Sequence, residues 1–214
     1  MDDLQSVLML VHIAAGFLSL ASALLAASAK ALGLPHRVHV LSGRTFVWGM
    51  LGICVTAIPL SLMRSQLLLF LVAVFSGYLA LAGWREAVRP RRPNAFVDRA
   101  TPTVMLVAAA VMLGWGTLSM VGGDSGGIVL LVFGMVGLVL AVGDLRRLAR
   151  PATGAARIAQ HMTHMLGATI SVITAALVVN IRFDPDWVVW IAPTVLITPL
   201  IVVWSRKIRG GRLG

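Results

Sequence analysis

The chain has 214 residues, of which 58% are hydrophobic and 12% are charged, about half the charged fraction of a soluble globular domain. Its net charge of +10 would fit a soluble nucleic-acid-binding protein, but the basic residues flank apolar runs. That arrangement favours anionic lipid headgroups as the partner and argues against nucleic acid. Cys54 is the single cysteine, which excludes an intramolecular disulfide and a cysteine metal cluster.

Seven apolar runs follow one another along the chain, and each approaches or exceeds the ~20 residues that cross a ~30 Å hydrocarbon core. All seven are predicted to be helices, because an open strand in lipid leaves backbone groups unpaired. The predicted fold class is therefore all-α: a polytopic membrane bundle of seven transmembrane helices forming one domain over residues 1–214. The predicted spans are residues 4–29, 45–63, 67–88, 101–121, 128–142, 158–181 and 187–204.

The basic residues predict how the bundle lies in the membrane. Of the 18 Lys and Arg, all except Arg64 and Arg182 lie in every second gap between the runs, in the C-terminal tail or, for Arg85, at the end of the run before such a gap. The positive-inside bias then places the N-terminus outside and the C-terminus in the cytoplasm. The start of the chain is acidic rather than basic, so we expect the first span to be an uncleaved helix and not a signal peptide.

This pattern predicts a multi-pass protein of the bacterial cytoplasmic (inner) membrane. Its expected partners are the anionic headgroups at the cytoplasmic face. A homo-oligomer or a membrane partner is left open at this stage.

His12 lies inside the first span on a face of small residues that includes Ala15, Gly16 and Ser19. Such a face lets another helix approach closely, and polar groups within spans usually point into the bundle. His164 in the sixth span has a similar face, and the repeated offsets would suit an inverted repeat. We expect both imidazoles to point inward, where the alternative to a functional role is a hydrogen bond across a helix pair.

Two His-x-x-His pairs, His36/His39 and His161/His164, lie at the predicted cytoplasmic ends of the second and sixth spans. Residues three apart share a helix face, and the neutral imidazole suits Zn, Cu and Fe. We therefore predict a haem b or transition-metal site that uses His39, His161 and His164. The alternative is that His36 and His39 are solvated loop residues.

Two charged residues at the same membrane edge extend this hypothesis. Asp144 follows a long apolar run and could join the metal site or orient an imidazole. Arg44 could snorkel to the interface, pair with an acid, or meet haem propionates. The alternative role for Asp144 is an interhelical salt bridge with Arg44 or Arg147.

Other chemistry finds little support in the sequence. The one Gly-x-Ser-x-Gly match, at residues 123–127, lies in the short turn between two apolar runs and does not follow a strand, and there is no His-Glu-x-x-His motif. The spans also hold no Lys and no unpaired acid near the expected bilayer centre, which argues against an ion-coupled transporter.

Four short motifs carry a family resemblance: His12-Ile-Ala-Ala-Gly, His39-Val-Leu-Ser-Gly-Arg-Thr-Phe-Val-Trp, Gly143-Asp-Leu-Arg-Arg and His161-Met-Thr-His164-Met-Leu-Gly-Ala. With them the chain resembles, over nearly its whole length, the uncharacterised bacterial integral membrane proteins of the DUF2306 family. The resemblance implies a small multi-span cytoplasmic-membrane protein and no established activity. A looser likeness links the chain to cytochrome b561-like proteins, which place four ligands near both membrane faces. His12 lacks an obvious outer-side partner for such a set.

The first functional hypothesis is accordingly a histidine-ligated haem- or metal-binding redox protein with its site near the cytoplasmic face. The second is a passive channel or small-molecule transporter, with the His12 face and a seventh span kinked at Pro193 and Pro199 lining a path. The third is a non-catalytic accessory or assembly protein.

Overall fold

The computed structural model describes residues 2–29, 32–88 and 94–210. Within these residues the secondary structure is entirely helical, and every one of the seven helices is long and apolar enough to cross a membrane. This confirms the prediction of seven helices, each of the length and composition that a membrane span requires. The helices are α1 (Asp2–Ser28), α2 (His36–Met63), α3 (Leu67–Val88), α4 (Ala95–Val121), α5 (Gly127–Ala149), α6 (Gly154–Asn180) and α7 (Trp187–Arg209).

Several helices are longer than the apolar runs that predicted them. The second begins at His36 instead of residue 45, and the fifth continues to Ala149 instead of residue 142. The physical reason is that hydropathy marks the part of a helix that suits lipid, whereas backbone hydrogen bonding continues through polar residues at the edge. His36 and His39 therefore lie on a helix, and their interpretation as loop residues is wrong.

Part of the charge pattern that predicted the orientation lies outside the described ranges of the chain. Five of its basic residues lie outside the described residues: Lys30, Arg89, Arg91, Arg92 and Arg212. The cytoplasmic and outer ends of the helices are therefore assigned by sequence and not by the fold.

The chain forms two compact units, Met1–Gly77 and Tyr78–Gly214, and the prediction of a single domain stays a prediction. In the first unit α1 packs against α2. The two backbones approach closely because a Cβ at Gly49 would overlap the Ser19 hydroxyl, and one at Gly52 would touch the Ala15 methyl at 3.4 Å. Small residues in both helices thus create the close helix crossing.

The second unit contains α4 packed on α5 and α6 packed on α7, with a smaller contact between α5 and α7. Glycines again permit the α4–α5 contact: a Cβ at Gly134 would lie 2.9 Å from the Met112 Cβ. The largest fully buried side chains here include Leu79, Met105, Met112 and His164. A histidine among the most buried side chains of an apolar unit requires polar partners, and these define the site described next.

Candidate functional site

The candidate site is a network of polar side chains in the second unit, centred on Asp144 of α5. Its Oδ1 accepts hydrogen bonds from Arg147 Nη2 at 2.8 Å and from Gln160 Nε2 at 2.9 Å. Its Oδ2 accepts from the Tyr78 hydroxyl at 2.5 Å and lies 3.0 Å from His164 Nε2. A carboxylate has about four acceptor positions, so these four contacts occupy all of them.

His164 of α6 is fully buried, and both of its ring nitrogens face oxygen atoms. Nδ1 lies 3.0 Å from the backbone carbonyl of Gln160, which can only accept. The side-chain Nε2 of Gln160 is farther away, at 3.4 Å, and donates to Asp144 Oδ1 at 2.9 Å, so Nδ1 carries a hydrogen. Nε2 faces Asp144 Oδ2, and one proton must lie between these two atoms for the contact to be favourable. The pair is therefore either an imidazolium with a carboxylate or a neutral imidazole with a carboxylic acid.

Tyr78 of α3 approaches both members of this pair. Its hydroxyl is 2.5 Å from Asp144 Oδ2 and 3.3 Å from His164 Nε2, and its ring meets the imidazole edge-on with centroids 5.7 Å apart. One O–H group therefore has two acceptors within reach, one on each partner of the shared proton.

The close approach of α3 to α6 depends on a glycine. A Cβ at Gly83 would lie 3.1 Å from the His164 Cβ and 3.2 Å from the Met165 backbone nitrogen. The Gly83 carbonyl also accepts a hydrogen bond from His161 Nδ1 at 2.8 Å. The predicted pair His161/His164 thus lies along α3, and each member has its own oxygen partner.

Further charged residues lie close to the helix ends of the same unit. Arg85 and Asp98 form an ion pair with Nε to Oδ1 at 2.8 Å and Nη2 to Oδ2 at 3.3 Å. Both side chains are less than a tenth exposed, and neighbouring Glu86 is 6% exposed. Buried ionisable groups in a membrane-spanning protein mark functional sites by default, because burying them is costly.

The remaining predicted residues lie in the first unit. His12 is half-buried, and its Nδ1 lies 3.0 Å from the Thr56 hydroxyl. His39 is half-buried, and its Nδ1 donates to the Ala26 carbonyl at 2.9 Å. Ser19 is fully buried against Gly49, and Arg44 is exposed on α2.

The structure thus brings together two of the four predicted ligand residues, Asp144 and His164. The salt bridge expected for Asp144 is made with Arg147, within α5 and not between helices. A metal could bind His164 only after one of its two oxygen contacts is broken. Among the described residues no group of three or more His, Cys, Asp or Glu side chains has the spacing of a metal site.

Several site residues were missed by sequence reasoning: Tyr78, Arg85, Glu86 and Gln160. One signal was available for Tyr78, which is the single tyrosine of the chain and lies in the middle of an apolar run. Gln160 lies one helical turn before His164, so the sequence alone also indicates that these two side chains share a helix face.

No protein-family model, no curated protein and no solved structure matches this chain. The resemblance to the DUF2306 family stays a prediction.

Proposed function

We propose that this is a proton-linked membrane transport protein in which the Asp144–His164 pair takes up and releases a proton. The sequence lacks an unpaired acid near the expected bilayer centre, which argued against an ion-coupled transporter, whereas the acid invoked here is paired and lies near the end of α5. One observation carries the proposal: a fully buried imidazole has both nitrogens against oxygen atoms, and one of them shares a proton with a carboxylate. Histidine changes its charge near neutral pH, and His and Asp within membrane spans are the usual members of proton relays.

The contacts support a specific exchange between two states. With the proton on His164 Nε2, that N–H donates to Asp144 Oδ2, and the Tyr78 hydroxyl donates to the same oxygen. After the proton leaves, Nε2 has a lone pair that faces the carboxylate. The Tyr78 hydroxyl, 3.3 Å away, can then donate to Nε2 and relieve the repulsion. The Tyr78 hydroxyl therefore donates to Asp144 Oδ2 while His164 Nε2 is protonated, and to Nε2 after that proton has left.

The other contacts keep the carboxylate in place during this exchange. Arg147 and Gln160 both donate to Oδ1, so one side of Asp144 stays hydrogen-bonded in either state. Charge-assisted hydrogen bonds of this kind are about twice as strong as neutral ones. Oδ2 is accordingly the oxygen at which the proton moves.

The proposal is tested on the whole protein in lipid nanodiscs with nitrogen-labelled histidine. His164 should show two protonated nitrogens at acidic pH and lose the Nε2 proton at alkaline pH, as measured by nitrogen NMR. Its signal is assigned without touching the site, by subtracting the signals lost in four single variants: His12→Gln, His36→Gln, His39→Gln and His161→Gln.

Tyr78 gives a second, independent readout because the chain has no other tyrosine. The ring vibrations that report hydroxyl donation should change together with the His164 signal, as measured by resonance Raman spectroscopy. Coincident changes support the exchange. A His164 that stays in one protonation state over the whole pH range in which the helices persist contradicts the proposal.

Transport itself is measured in proteoliposomes with a trapped pH dye. A proton flux above that of empty vesicles should fall by on the order of 100-fold in His164→Gln, by analogy with the loss of a positioned proton-transfer group. His36→Gln is the matched control, because His36 is exposed at the start of α2. Equal flux in both variants would separate His164 from transport.

A second candidate function is haem or metal binding, at His39 of the first unit or at His161 of the second, each considered by itself. The favouring observation is that each donates its Nδ1 hydrogen to a backbone carbonyl, of Ala26 and Gly83 respectively. Metal-ligating histidines are oriented in this way, with the lone pair on Nε2. A visible absorption spectrum and metal analysis of the purified protein test it. A colourless, metal-free protein that gains no absorption with added haem contradicts it.

We also propose that the protein resides in a bacterial inner membrane with its N-terminus outside, its C-terminus in the cytoplasm, and anionic lipid at the cytoplasmic face. The support is the distribution of Lys and Arg between alternate gaps. Reporter fusions in the turn at residues 122–127 and at the C-terminus should report opposite compartments. The same compartment for both would contradict the orientation.

A further inference from the structure

A small cavity lies beside Asp144, close to the helix ends that carry the buried residues Arg85, Glu86 and Asp98. It has a volume of about 20 Å³, and its lining includes Asp144, Arg85, Glu86 and Asp98 together with the methyl group of Ala82. A polar cavity needs roughly 10–15 Å³ and two to four polar partners to hold one water molecule. This cavity meets both conditions.

The charges around the cavity are fixed by other contacts. Arg85 is held by Asp98 through two nitrogen–oxygen contacts, and this pair is buried. Asp144 is held by the network that includes His164. A water molecule in the cavity would therefore lie between two positioned groups of charges.

The helix boundaries show that this cavity lies close to the ends of α3 and α4. Arg85 and Glu86 are in the last turn of α3, which ends at Val88, and Asp98 is in the first turn of α4, which begins at Ala95. His164 packs against Gly83 of α3, which precedes Glu86 by three residues, or about 4.5 Å along that helix at 1.5 Å per residue. The cavity is thus nearer to the helix ends than the imidazole is.

We propose that this cavity binds one water molecule and that this water carries the proton between Asp144 and Glu86. Glu86 is then the proton-transfer group of the site that lies nearest to the helix ends. The inference rests on the proposed function, since it supplies the route by which a buried proton reaches the membrane edge. Chains of Asp, Glu and His side chains are the usual proton relays within membranes, and the proposed relay joins two such carboxyl groups through the water.

For release, the steps balance as follows. The His164 Nε2–H bond breaks and an O–H bond forms on Asp144 Oδ2, which leaves a neutral imidazole and a carboxylic acid. The Tyr78 hydroxyl then turns from Oδ2 to donate to Nε2, so the new O–H group of Asp144 is free to turn to the water. Asp144 then gives its proton to the water while the water gives one of its own to the Glu86 carboxylate. Asp144 is again ionised, the water is unchanged, and Glu86 carries the proton until it passes to the aqueous phase.

The test uses Ala82→Val, which adds two methyl groups to a residue that lines the cavity, with Ala87→Val as the matched control at an exposed position of the same helix. After a rapid pH change, the Ala82→Val protein should show protonation of the site slowed about tenfold or more by time-resolved infrared spectroscopy. The final extent of protonation should stay that of the wild type, because the proton-binding groups are unchanged. Ala87→Val should match the wild type in both.

A direct measurement of the water keeps the inference falsifiable if Ala82→Val proves unstable. An infrared O–H band that shifts in heavy-oxygen water should be present in the wild type and in Glu86→Gln, which keeps the cavity but loses the acid. Glu86→Gln should also slow the protonation rate. Wild-type rates in both variants, or no isotope-sensitive band, would overturn the water relay while leaving a titrating His164 intact. Absence of any titration at His164 would instead overturn the proposed function and the relay with it.

Discussion

His12 in the first unit and His164 in the second have the same local setting and different environments. Each is followed at the same offsets by small residues, with a serine seven positions later, at Ser19 and Ser171. His12 is half-buried and contacts one neutral hydroxyl, that of Thr56. His164 is fully buried and contacts a carboxylate that three other side chains also hold.

The difference shows that a histidine on a small-residue face has no fixed role. The face lets a neighbouring helix come close, and the neighbour then decides the chemistry. Beside α2 the neighbour offers a threonine that is already bonded to its own helix through the Gly52 carbonyl at 2.8 Å. Beside α3 and α5 the neighbours offer a phenol and an acid. The predictions below test this contrast, beginning with the largest expected effect.

Removing the carboxylate of Asp144 should lower the free energy of unfolding more than any of the changes below. Asp144→Asn places an amide where four donor groups converge, so several buried donors lose their acceptor. Breaking a buried charge network typically costs about 3–5 kcal/mol, and we expect a loss of this size in the free energy of unfolding. Chemical unfolding in detergent measures it. Asp186→Asn, at an exposed position, should change little.

Removing the phenol should have the next largest effect. Tyr78→Phe keeps the ring packing but deletes a hydrogen bond to a charged group, which is worth about 1.5–3 kcal/mol. The unfolding free energy should fall by that amount, and the Raman and NMR changes with pH should no longer coincide because the reporter hydroxyl is gone. Wild-type stability would mean that the 2.5 Å contact contributes nothing net.

A larger side chain at Gly83 should test whether α3 and α6 must lie this close together. Gly83→Ala would press on His164 and on the backbone of α6, and such overpacking typically costs about 1–3 kcal/mol. Gly43→Ala is the control, because a Cβ there meets nothing within 4 Å. It should be neutral or raise stability slightly, since alanine favours a helix. Equal effects of the two variants would show that glycine is not needed for the approach.

The smallest effect is expected on the His12 side. Thr56→Val keeps the shape and deletes the hydroxyl that meets His12, which should cost about 0.5–1.5 kcal/mol, the usual net value of one hydrogen bond. A thermal unfolding comparison with Asp144→Asn ranks the two sites. If Thr56→Val were as damaging as Asp144→Asn, the two histidines would be equivalent and the contrast would fail.

Much of the architecture followed from the sequence by itself. The number of helices, their order and their approximate bounds depend on local sums of hydropathy and on a fixed length for crossing lipid, and both are readable without knowing any neighbour. The sequence also determined that His161 and His164 share a face, because the helical repeat fixes it. It placed helix ends too early or too late where a helix continues through charged residues, as at His36 and Ala149.

The composition of the site was decided by the tertiary structure. Asp144 was singled out from its position at an apolar boundary, but its contact with His164 depends on how α5 and α6 are rotated about their axes. Tyr78 and Glu86 joined the site because of which face of α3 turns inward, and Gly83 allowed that face to come close. Helix rotation and neighbour choice are set by side-chain packing across the unit, and no periodicity within a single apolar helix encodes them.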